Sequence, residues 1–164
     1  MRPLIAAFTL LAAAGSCAAA GDPRLARVWP EWFSSDSFQS YHEYRTGKEL
    51  AGKWIILRSR REERSGLYFV TKVENPGGEL RGASFVVHVI SPSSANTREY
   101  RFPAAIPAGR QIFQIGLTGE DWDGARISPV AWEVELQAAD GRVISAMSSY
   151  LWERPAAERA GGAR

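Results

Sequence analysis

The stretch VAWEVELQAADGRVISAMSSYLW, residues 130–152, decides the fold class. Val130, Trp132, Val134 and Leu136 fall at every second position, with Ala131, Glu133, Glu135 and Gln137 between them. A period of two belongs to a β-strand, whose successive side chains point to opposite faces. The segment therefore predicts a half-buried strand with Trp132 on its buried side. Asp140-Gly141 then supplies the positive-φ positions of a tight hairpin turn, and Arg142 to Trp152 returns as the partner strand.

Working outward, similar runs recur at Trp54–Ser59, Leu67–Val73, Ala83–Ile90, Arg98–Phe102 and Gln111–Leu117. Between them stand Asn75-Pro76-Gly77-Gly78, Ser91-Pro92-Ser93-Ser94 and Pro107-Ala108-Gly109, residues that break a ladder and shape turns. Short strands at such spacing, about seven in all, predict an all-β chain folded as a single antiparallel β-sandwich. The pattern resembles immunoglobulin-like or fibronectin-like sandwiches of bacterial surface proteins. The Cys–Trp–Cys pattern of antibody domains is missing, so the resemblance implies a core that closes without a disulfide. Phe33 to Gly47 is ambiguous. Phe38, Tyr41 and Tyr44 suit a helix capped by Ser35, but the aromatic content favours a strand ending near Thr46.

The N-terminus carries an address. Arg2 precedes an apolar run, Leu4 to Ala14, that is too short for a stable transmembrane helix and suits an export signal. Ala14-Gly15-Ser16-Cys17 resembles the lipobox of bacterial lipoproteins, with Ala14 where leucine is commonest. That resemblance implies acylation of Cys17, and Ala18 after it implies retention at the outer membrane. Ala18-Ala19-Ala20 before Gly21 offers ordinary signal peptidase a competing site, which would make the protein soluble in the periplasm or secreted. The expected organisation is an export signal over residues 1–17, a tether over 18–28, the sandwich over 29–153 and a disordered tail over 154–164.

Twenty lysines and arginines face 18 carboxylates, a net charge of +2, which together with export argues against nucleic-acid binding. Two histidines, His42 and His88, lie outside any HxH, HExxH or CxxC spacing, so neither a metal site nor a cofactor is expected. No G-x-S-x-G elbow marks a nucleophile. His88 alternates with Ser84, Val86 and Ile90 and reads as a structural histidine.

Two loops are the candidate binding elements. Glu120, Asp121, Trp122 and Asp123 form an acidic turn whose spacing does not complete a calcium loop. Arg58, Arg60, Arg61 and Arg64 form a basic loop suited to an acidic partner or to lipid headgroups, or simply to solvent. Most of the six tryptophans, Trp54 and Trp132 included, are expected in the core. The resulting expectation is a non-catalytic binding or structural module of the bacterial envelope. Acylated Cys17 would hold it on the membrane, with an envelope protein or glycan as its partner. The alternatives are a small hydrolase using His42 or His88, and a carbohydrate-binding module using Trp122.

Overall fold

The computed structural model describes residues 21–38, 54–125 and 127–152. Among the described residues eight strands run in chain order: β1 (Arg24–Phe33), β2 (Ile55–Arg58), β3 (Gly66–Asn75), β4 (Leu80–Ser91), β5 (Ser94–Ile106), β6 (Gly109–Thr118), β7 (Ala131–Gln137) and β8 (Val143–Ser148). They form two four-stranded sheets, β1-β3-β6-β2 and β5-β4-β7-β8. The chain is thus an all-β sandwich. Every pairing is antiparallel except β2 with β6, which is parallel.

The core follows from alternation. Leu67, Phe69 and Val73 of β3 and Phe113, Ile115 and Leu117 of β6 face Phe85, Val87 and Val89 of β4 and Val134 and Leu136 of β7. Phe85 meets Phe113 across the layer with ring centroids 4.8 Å apart, and Phe69 meets Trp132 at 5.7 Å. At one end, Asn75 ties two turns together: its Nδ2 reaches the carbonyls of Gly78 at 2.8 Å and Ile106 at 3.1 Å, while its Oδ1 accepts the Gly77 amide. In the β7–β8 hairpin Gly141 supplies the positive φ of 83°. Its amide donates to the Ala138 carbonyl, and Ala138 pairs with Arg142 around a three-residue loop.

Four expectations change. The segment assigned to the tether is a strand from Arg24 onward, so the sandwich starts before residue 29. β1 hides its alternation because the register shifts between Leu25 and Arg27. That bulge lets Leu25 and Val28, three residues apart, both face the core. Pro30 is tolerated because β1 is an edge strand. Second, β7 is buried at every position rather than on one face. Third, Trp54 precedes β2 and is 47% exposed rather than buried. Last, the sandwich is not wholly antiparallel, because β2 docks beside β6 in the same direction. In Phe33–Gly47, Ser35–Phe38 form a 3-10 turn, and residues 39–53 lie outside the described residues. Cys17, His42 and the expected tail at 154–164 lie outside them too.

Candidate binding cleft

The parallel pairing of β2 with β6 brings the two nominated loops together. Parallel strands end on the same side of a sheet, so the basic loop after β2 and the acidic loop after β6 emerge side by side. Thr118, the last residue of β6, joins their starts. Its Oγ1 donates to the Arg60 carbonyl at 3.0 Å and accepts the Arg60 amide at 3.1 Å, while its own amide donates to Ser59 Oγ at 3.0 Å. Arg60 then reaches Glu120 at 3.1 Å and Asp121 at 3.3 Å. Asp123 sits 3.5 Å from the Arg98 guanidinium and accepts a hydrogen bond from Ser93 Oγ. Hydrogen bonds from Ser91 and Ser93, aided by Arg98, hold the Asp123 carboxyl below its ordinary value of 3.8. The carboxylates of this turn thus face guanidinium groups of the same chain.

Trp122, on which the sugar-stacking reading rested, is 3% exposed. Its indole packs in the core, donates Nε1–H to the Ile127 carbonyl at 3.1 Å and lies under the Arg98 guanidinium. It offers no free face to a sugar ring, which removes that role for Trp122.

The four arginines of the basic loop do not act as one patch. Arg58 Nε donates to the Tyr68 hydroxyl at 3.0 Å, and its guanidinium lies 5.0 Å from the centre of the Phe38 ring. Arg60 is engaged with the acidic turn. The Arg64 carbonyl accepts the Tyr68 hydroxyl at 2.7 Å. Arg61 is exposed and makes no ion pair among the described residues.

Among the described residues the sandwich is open beside this junction, where β2 is the edge of one sheet and β5 the edge of the other. Between them lies a cleft of about 600 Å³, lined by Leu57, Tyr100, Phe102 and Pro103 and by the polar Arg58, Ser59, Arg61, Arg101 and Asp121. The opposite side is closed, because the Leu25 amide of β1 donates to Ser145 Oγ of β8 at 3.1 Å. Tyr100 is fixed in the lining by its hydroxyl, which donates to the Asp121 carbonyl at 3.2 Å. Burial pushes that hydroxyl above its ordinary pKa of 10.0, with Arg98 opposing the shift, so Tyr100 is a neutral donor at physiological pH. An apolar lining with a few convergent polar groups, in a volume between about 300 and 1,000 Å³, is the usual build of a small-ligand site.

No protein-family model, curated protein or solved structure matches this chain. The cleft therefore has to be read from its own chemistry. Of the residues nominated from sequence, the structure brings Arg58, Arg61 and Asp121 to its wall. It spends Arg60, Glu120 and Asp123 on ion pairs that hold the surrounding loops. Sequence reasoning missed the apolar lining. Tyr100 and Phe102 alternate correctly for inward-facing side chains, but nothing local says that β5 is an edge strand.

Proposed function

We propose that this chain is a non-catalytic binding module of the bacterial cell envelope, exported and held on the membrane by acylated Cys17. Its ligand is an anionic group, phosphate or carboxylate, carried by an envelope component and seated in the β2–β5 cleft. The observation that supports this is the cleft itself: a site-sized volume lined by aromatic and aliphatic side chains and by the exposed Arg61. A guanidinium is planar, permanently charged and matched to the paired oxygens of phosphate and carboxylate. The apolar lining would take the uncharged body of the same ligand.

Two measurements test the proposal. Glucose 6-phosphate, a probe with an anionic head and a neutral ring, should perturb amide resonances of β2 and β5, and glucose should not. Arg61→Ala should weaken that binding about 10-fold or more, in line with loss of a charge-assisted hydrogen bond worth roughly 1.5–3 kcal/mol. Arg81→Ala, whose guanidinium pairs with Glu79 away from the cleft, should leave it unchanged. Equal affinity in wild type and Arg61→Ala would remove the cleft assignment. For the address, Cys17→Ser should leave unprocessed precursor, and mass spectrometry of the mature chain should find a diacylated Cys17 at its start. A mature N-terminus at Gly21 would exclude the lipid anchor.

A further inference from the structure

The outward face of the β5-β4-β7-β8 sheet carries a second site. Strand register aligns Glu99 of β5, His88 of β4 and Glu133 of β7 across the sheet. Glu135, two residues along β7, falls on the same face as Glu133. These side chains are not solvated in the ordinary way of an outer face: Glu133 is 9% exposed and Glu135 is 2% exposed. The Trp152 ring stands over His88, with centroids 5.9 Å apart.

The donor atoms converge. One ligand atom each from His88, Glu133 and Glu135 lies within 4.8 Å of the others. His88 Nδ1 is turned toward Glu99 Oε2 at 3.9 Å, and Nε2 toward Glu135 Oε2 at 4.0 Å. Nε2 is buried and makes no hydrogen bond. Glu135 is itself held in place: Gln137 Nε2 donates to its Oε2 at 2.6 Å, and Arg101 donates to Gln137 Oε1 at 2.9 Å. A metal-binding histidine characteristically carries a carboxylate on its other nitrogen, and ligating carboxylates are in turn hydrogen-bonded. The second feature is present at Glu135, and Glu99 faces Nδ1 from 3.9 Å, just beyond hydrogen-bond distance.

We propose that His88, Glu133 and Glu135 bind a divalent transition-metal ion of the zinc class, His88 through Nε2. One imidazole nitrogen with two carboxylates is a borderline-to-hard donor set, which suits Zn²⁺ and its neighbours better than calcium. Metal–ligand bonds of about 2.0–2.2 Å would draw the three donors inward by on the order of 1 Å, a movement that side-chain torsions can supply. Three protein ligands leave one tetrahedral position for water or for a group presented by a partner. The site shares no ligating residue with the cleft, although Arg101, which steadies Gln137, also lines the cleft; the proposal does not rest on the function proposed for the cleft.

The test uses the full chain with Cys17→Ser throughout, so that no thiol competes, and Zn²⁺ alone as the probe. Calorimetry at neutral pH should give one saturable site. His88→Gln and Glu135→Gln should each weaken it about 100-fold, and Gln137→Ala, a positioning change, about 10-fold. His42→Gln should leave it intact. A second readout does not require the His88 and Glu135 variants to fold. Pulsed electron paramagnetic resonance of bound Cu²⁺ should show coupling to one imidazole, and that coupling should persist in His42→Gln. Absence of saturable Zn²⁺ binding at millimolar concentration would overturn the proposal. So would unchanged affinity in the folded His88 and Glu135 variants, or an imidazole signal that vanishes with His42.

Discussion

Trp132→Ala is expected to lower the unfolding free energy by about 3–5 kcal/mol, the usual cost of truncating a large core aromatic. Trp132 is 9% exposed and packs edge-on against Phe69 of the opposite sheet at 5.7 Å, so its removal leaves a void bounded by both layers. Neither layer can collapse into that void without breaking strand pairing. The internal control is Trp54→Ala. That indole is 47% exposed, and its loss should change stability by no more than about 0.5 kcal/mol. Urea unfolding monitored by circular dichroism distinguishes them, and similar midpoints for the two variants would place Trp132 outside the core.

The second large effect is expected at Gly66, where β3 begins opposite Thr118 of β6. A Cβ on Gly66 would lie 2.3 Å from the Leu117 carbonyl oxygen and 2.8 Å from the Thr118 Cα. Both obstacles are backbone, so no rotamer change relieves them, and the central β3–β6 seam has to part. Gly66→Ala should cost about 3 kcal/mol or more, the upper end of overpacking effects. It should also disturb the clamp at Thr118 and, through it, the loops beside the cleft. Gly78→Ala, where an added Cβ meets nothing within 4 Å, should be neutral to within about 0.5 kcal/mol. Thermal unfolding of the pair checks this, and equal melting temperatures would contradict the close approach at Gly66.

The strands most legible in the sequence are those with one continuous face. Trp132, Val134 and Leu136 announce β7, although Val130, which opens the same alternating series, precedes β7 and is 47% exposed, and the apolar run Ala83–Ile90 announces β4. β1 was illegible because its bulge separates Leu25 from Val28 by three and Pro30 interrupts the run. Trp54 misled because an apolar run carries no mark of where pairing starts, and pairing starts at Ile55. Glu133 and Glu135 looked like a solvent face, since alternation reports which side a residue takes and not what covers that side. Both nominated loops were legible as loops. Their meeting was not, because it depends on the parallel placement of β2, which no local pattern encodes. The cleft was hidden for the same reason: Tyr100 and Phe102 come to line it only when β2 and β5 end up as facing edges.

The placement of β2 also sets an order of events in time. Its four residues pair solely with β6 among the described strands, joining Ile55 to Phe113 across a long intervening stretch of chain. β2 cannot find its slot until β6 exists, whereas β3, β4 and β5 are joined to their chain neighbours by short turns. Non-local pairing repays its loop-closure entropy late, and a four-residue strand paired on one side has few ladder bonds to hold it, so β2 is expected among the later strands to dock and the earlier to fray. Because Leu57 of β2 lines the candidate cleft, this short edge strand is also part of its wall. Release of this four-residue edge would widen the cleft at the cost of the Ile55 and Leu57 contacts, while the buried core cluster of the described residues, which contains no residue of β2, would stay packed.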